Sequence, residues 1–146
     1  MTLPVINAVI NFSTGPSFAQ ALVLGSGILD TNILADSTAV IVDVSNRVNR
    51  IDTNRGRTDL SDQFQTGSLT LRIVDQNGDF NPQNVSGPYY NLLTPMKKVQ
   101  VTATYSGVTY PIFSGFITSY VTTYPDESGE DLAITTIQAV DAFRLA

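Results

Sequence analysis

The stretch VQVTATYSGVTYPI, Val99 to Ile112, decides the fold. Apolar and polar residues alternate on both sides of Ser106-Gly107, which is strand periodicity interrupted by a two-residue reversal. Folding the chain back at that dipeptide sets Tyr105 opposite Val108, Ala103 opposite Tyr110, and Val101 opposite Ile112. Every pair on that face is apolar, while the other face matches Thr104 with Thr109. Pro111 has no N–H to give to a ladder, so its place in the second strand predicts an open edge or a bulge.

The same alternation spreads outward in both directions. FSGFITSYVTTY (113–124) continues as strand, and the polar turn PDESGED (125–131) leads into LAITTIQAV (132–140) as a second hairpin. Leu69, Leu71 and Ile73 alternate with Thr70, Arg72 and Val74. Ile6, Ala8, Ile10 and Phe12 do the same and end at SerThrGlyPro, residues 13–16. AVIVDV (39–44) is β-branched and continuous, which predicts a buried strand. Residues 18–35 have helical-looking apolar spacing broken by Gly25 and Gly27, and read as irregular or strand-plus-turn. Only LSDQF (60–64) suits a turn of helix, since nothing longer has both helical period and caps. No internal repeat, low-complexity tract or linker divides the chain. Residues 1–146 therefore read as a single mainly β domain: a small antiparallel β-barrel, a split barrel or a sandwich, with at most one short helix.

Composition excludes more than it assigns. The 146 residues contain no cysteine, histidine or tryptophan. Disulfides and thiolate chemistry are therefore ruled out, and so are the usual transition-metal ligand and the commonest general base. A formal net charge of -5 repels nucleic acid, because no counterions are released on contact. No apolar run approaches the ~18 residues of a membrane helix, and MTLPVINAVINF lacks the basic start of a secretion signal. The charged fraction is 14%, against roughly 25% in ordinary soluble domains. Desolvating ions is costly, so sparse charge suits a subunit packed into a larger assembly.

The candidate chemical motifs each have a plainer reading. Asp75, Asn77 and Asp79 in VDQNGDFNP (74–82) suggest a calcium loop. Such a loop needs glycine at its sixth position and glutamate at its twelfth, where this chain has Phe80 and Ser86. Asn77-Gly78 after a clean strand, with Pro82 to follow, reads instead as a corner requiring no metal. GSGILD (25–30) lacks the third glycine of a dinucleotide site. Arg47, Arg50, Arg55 and Arg57 are interleaved with Asp43, Asp52, Asp59 and Asp62 and have no aromatic residue among them. They suit ion pairing within the fold or at a subunit joint better than nucleic-acid binding. Tyr89, Tyr90, Tyr110, Tyr120 and Tyr124 could form an aromatic platform for sugars, but strand tyrosines are usually core or interface residues with one polar end. Lys97 and Lys98 read as solvated residues at a strand start. Asp126 and Glu127 lie in a turn where nothing raises a pKa. No catalytic residue, cofactor site or metal site emerges. The candidate interface residues are Arg47, Arg50, Arg55 and Arg57, with Tyr110 and Pro111 on the edge-type strand.

In order, the chain presents VDVSNRV (42–48), RGR (55–57), Phe64, Thr66-Gly67, SLTLRI, DQNGDFNP, SGPYYNLLTPMKKVQVTA, GVTYPIFSGFI, a Tyr-Pro-Asp and AVDAF (139–143). This succession resembles the N-terminal hub domain of minor tail proteins of long-tailed bacteriophages, and covers about two thirds of the chain. Each fragment alone is mostly turn chemistry; their order and spacing carry the likeness. The resemblance implies a structural virion protein at the distal end of the tail, assembled in the host cytoplasm. It implies a trimer or a hexameric ring, with the distal tail ring and the tape-measure protein as neighbours. Family members usually continue further, so by the resemblance residues 1–146 are either the N-terminal part of a longer tail protein or an unusually short form. A carbohydrate-binding module for host-surface recognition is the alternative function, resting on the tyrosines; an enzyme is not expected.

Overall fold

The structure is a computed structural model that describes residues 3–13, 40–56, 65–125 and 132–141. These form seven antiparallel strands and, among the described residues, no helix: β1 (Val5–Asn11), β2 (Ile41–Asp43), β3 (Val48–Gly56), β4 (Gln65–Val74), β5 (Lys98–Tyr105), β6 (Val108–Thr123) and β7 (Ile134–Asp141). They make one sheet in the order β2-β1-β5-β6-β7-β4-β3. The suggested helical turn at 60–64, the segment 18–35 and Arg57 lie outside the described residues.

The mainly β, antiparallel expectation is met, but the ladder does not close into a barrel. The sheet ends at β2 and β3, and no ladder joins these two among the described residues. It nonetheless curls onto a single core. Ala8 and Ile10 of β1, Leu69, Leu71 and Ile73 of β4, Val99 and Val101 of β5, Phe113 and Ile117 of β6, and Ile137 of β7 form one buried cluster. Strands from opposite ends of a flat sheet could not meet in this way. Each such side chain contributes about 1.5–3 kcal/mol when fully buried, so the period-two alternation is the main force holding the fold.

Closure fails for a local reason. Of the run 39–44, expected as a buried strand, only Ile41–Asp43 pairs, at the sheet's edge; Val44 is fully buried, Val40 and Val42 pack against the core half-buried, and Asp43 is exposed. Val44 then turns inward and donates its N–H to Ala8 O (2.9 Å), while Ser45 Oγ accepts from Ala8 N (2.9 Å). Arg47 N–H and Val48 N–H both donate back to Val44 O. This knot reverses the chain into β3 and leaves a seam between β1 and β3.

β6 spans both halves of the sheet. Its first half pairs with β5 and its second with β7, and Gly115 lies opposite both Val99 and Asp141. The hairpin of β5 and β6 follows the expected register through Tyr105↔Val108, Thr104↔Thr109 and Ala103↔Tyr110. Ser106 and Gly107 both take positive φ, 50° and 79°, which is the primed turn that matches strand twist. The expected Val101–Ile112 pair is displaced: a bulge makes Ile112 the extra residue and pairs Val101 with Phe113. Pro111 stands at this bulge, on the half of β6 that β7 does not reach.

The corner after β4 is longer and more regular than a two-residue reversal. Five turns follow one another at a spacing of three: Gly78 N–H donates to Asp75 O, Asn81 to Gly78, Asn84 to Asn81, Gly87 to Asn84, and Tyr90 to Gly87. Gly78 alone in VDQNGDFNP has positive φ, at 68°. The Asp75 side chain, 1% exposed, accepts from Asp79 N–H (2.8 Å), Phe80 N–H (2.9 Å) and the Thr135 hydroxyl (2.9 Å). Its oxygens are thus committed to holding the corner onto β7. The turns carry Phe80 and Tyr89 onto the core, where the Tyr89 ring lies 5.3 Å from Phe12 and 5.2 Å from Phe80.

Candidate interaction site

The β5–β6 hairpin runs past the core. Alternation places Ile6, Ala103 and Tyr110 in one row across three strands, on the side that further along carries Val101 and Ala8. Tyr105 and Val108 form the next row outward. Nothing among the described residues covers them: Tyr105, Val108 and Tyr110 are 48%, 51% and 52% exposed, and Ile6 is 42% exposed. The inward face of the sheet thus continues beyond the interior it was patterned to bury. The opposite face at the tip is polar, with the Thr104 and Thr109 hydroxyls 3.0 Å apart.

The patch extends into the seam. Ile6 and Ala8 on one side, with Val48, Ile51 and Arg50 on the other, line a cavity of about 190 Å³. A curled sheet that is not closed therefore presents three adjoining features: an apolar hairpin face, a slot between β1 and β3, and the edge of β6 from Val108 to Ser114, which no described strand pairs. Exposed sheet edges and apolar faces are association sites unless something blocks them. Pro111 is the only residue on that edge unable to donate a hydrogen bond.

The expected interface residues separate into distinct groups. Arg47 is spent inside the fold: its guanidinium contacts Asp79 at 2.7 Å and lies 5.9 Å over the Phe80 ring. The hydrogen bond to Asp79 holds Arg47 above its ordinary pKa. The pair ties the knot of residues 44–47 to the corner, while the Arg47 side chain stays 45% exposed at the surface. Arg50 pairs with Asp52 (2.7 Å) on the same strand, exposed and beside the seam. Arg55 is on β3, but its side chain, like the whole of Arg57, lies outside the described residues. Tyr110 and Pro111 sit together at the hairpin tip. Ion pairing within the fold describes Arg47 and Arg50, and the apolar exposed surface belongs to residues that were first read as a matched hairpin face.

The tyrosines do not form one platform. Tyr89 is stacked in the core cap, Tyr110 is at the tip, and Tyr90 lies among the turns. Tyr120 and Tyr124 alone share a groove, with Asn81 and Gln83 of the corner. Lys97, expected to be solvated, instead donates to Phe12 O at 2.7 Å across 85 residues of sequence. Sequence reasoning also missed Asp75 as the corner's anchor, although Asp75, Gly78, Asn81, Asn84 and Gly87 at every third position were a visible turn signal. No protein-family profile matches this chain, and no curated protein is detectably similar to it in sequence.

Proposed function

We propose that this chain is a structural component of the distal end of a bacteriophage tail, a hub or baseplate subunit that forms a ring joining the tube side to the host-facing tip. The observation that carries the reading is the hairpin of β5 and β6, whose core-patterned face extends past the core and stays open. A monomer gains nothing from exposing Tyr105, Val108 and Tyr110 together; a neighbouring copy that covers them removes that apolar area from water. The sparse charge of the chain supports the same reading, since few ions have to be desolvated on assembly. So does the order of sequence fragments from Arg55 to Pro125.

In such a ring the subunit contributes shape and performs no catalysis. Its neighbours are further copies in a trimeric or hexameric arrangement, the distal tail ring and the end of the tape-measure protein. Immunogold labelling of the phage particles that incorporate the chain tests this directly. Gold confined to the tail end opposite the head supports the assignment. Label on the head, label along the tube, or label spread over the whole particle would reject it.

A further inference from the structure

We propose that the groove between the corner and the distal half of β6 is a binding site for a neutral oligosaccharide. The groove has a volume of about 290 Å³, at the lower end of the ~300–1,000 Å³ of small-molecule sites. Two tyrosines, two carboxamides and one threonine provide its chemistry: Tyr120, Tyr124, Asn81, Gln83 and Thr122. Among the described residues no charged side chain lines it.

Three observations point to hydroxyl-rich ligands. The Tyr120 hydroxyl is buried and has no hydrogen-bond partner among the described residues, although buried tyrosine hydroxyls ordinarily find one. Burial pushes its pKa up, so it stays a neutral donor. Beside it, the Thr122 hydroxyl contacts the Thr135 hydroxyl (2.9 Å), which in turn donates to Asp75 (2.9 Å). This chain fixes the wall of the groove to the buried anchor of the corner. Finally, Tyr124 is 56% exposed, and its hydroxyl accepts from the Asn81 amide. That contact holds an aromatic face at the rim, rigid enough for a pyranose ring to stack on.

A sugar hydroxyl both donates and accepts, which suits a phenol and carboxamides, while the flat ring meets the apolar face of a pyranose. An anionic polymer would meet no cation among the described residues of the groove, and a chain of net charge -5. The site lies at the opposite end of β6 from the hairpin tip, so ring assembly through the tip leaves it open. The inference does not depend on that assembly.

The test is saturation-transfer and ¹⁵N-shift NMR on the whole chain, with a panel of neutral gluco-, galacto-, manno-, rhamno- and N-acetylglucosamine oligosaccharides at millimolar concentration. Anionic oligosaccharides are run in parallel. The expected result is binding of at least one neutral series, with a dissociation constant on the order of 1 mM and shifts at residues 81–83 and 120–124. Tyr120→Phe should weaken it about fivefold without lowering the thermal midpoint, because that hydroxyl has no partner to lose in the free protein. Tyr124→Ala should abolish it. No binding across the neutral panel, binding of anionic sugars alone, shifts confined to other surfaces, or full affinity in Tyr124→Ala would each overturn the proposal.

Discussion

Gly115→Ala should be among the most damaging single-methyl additions in this protein. Gly115 does not have positive φ, so the substitution causes no backbone strain. On conformational entropy alone it would stabilise by about 0.4–1 kcal/mol. The contact decides the sign. A Cβ at this position would lie 2.2 Å from the Val140 carbonyl oxygen and 2.8 Å from both the Val140 carbonyl carbon and Phe113 Cε1. The Phe113 ring is fully buried and cannot swing away. The Val140 obstacle is backbone, so β6 and β7 must separate where β6 changes partners. Overpacking of a tight core costs about 1–3 kcal/mol, and each ladder hydrogen bond lost adds about 1 kcal/mol. The net loss is therefore about 3 kcal/mol. With an unfolding entropy near 2.1 cal/mol/K per residue over 146 residues, this corresponds to a fall in Tm of about 10 °C. Differential scanning calorimetry measures it directly, with Ser114→Ala, exposed on the same strand, as the control expected within about 2 °C of the parent. A Gly115→Ala protein that melts within 2 °C of the parent would refute the crossing geometry.

Three further outcomes follow from the same structure. Asp75→Asn puts an amide nitrogen against N–H or O–H donors at a site where the carboxylate now accepts three bonds. It should cost about 2–4 kcal/mol, read as a lower urea midpoint and faster exchange of the Asp79 and Phe80 amides. Ser106→Asn replaces a residue held at φ 50° with one that tolerates that region better, and should raise Tm by about 1–3 °C in a calorimetric scan. Ser45 holds the Asp43 carboxyl below its ordinary pKa, first through its hydroxyl and then through its N–H. The folded value is thus the depressed one. The associated stability is fully present above the unfolded value of about 3.9 and is lost as pH falls through the folded value. Ser45→Ala should return the Asp43 carboxyl toward its ordinary range in a ¹³C NMR titration and flatten the acid limb of the stability profile. An unchanged titration would contradict the assignment of cause.

Residues whose role depends on near neighbours were legible in the sequence. Leu69, Leu71 and Ile73 announce a strand by alternation, and the hairpin tip announces its own register because its pairs are all local. Pro111 signalled the bulge beside it, but that Ile112 is the extra residue was hidden, because only packing of Phe113 into the core decides it. The run 39–44 showed its inward-facing valines but not its place at the sheet's edge, because a continuous β-branched stretch looks the same at an edge as at a centre; the Val44 turn that ends it is set by Ala8, far away in sequence. Asp75 could be seen as a turn residue but not as an anchor, since Thr135 comes 60 positions later. The groove depends on Asn81 meeting Tyr124 across 43 positions, which no local pattern encodes. The arginine cluster was legible as charge but not as partners: Arg47 finds Asp79 only because the corner folds back over the knot.

The central claim is that the open hairpin face is built to be covered by another copy of this chain. Native mass spectrometry and sedimentation equilibrium of the purified chain, from micromolar to millimolar concentration, test it most directly. Hydrogen exchange at Tyr105, Val108 and Tyr110 is followed alongside. The prediction is a discrete threefold or sixfold species in which those three amides become protected. A single monomeric species at every concentration, with the tip exchanging freely, would contradict it.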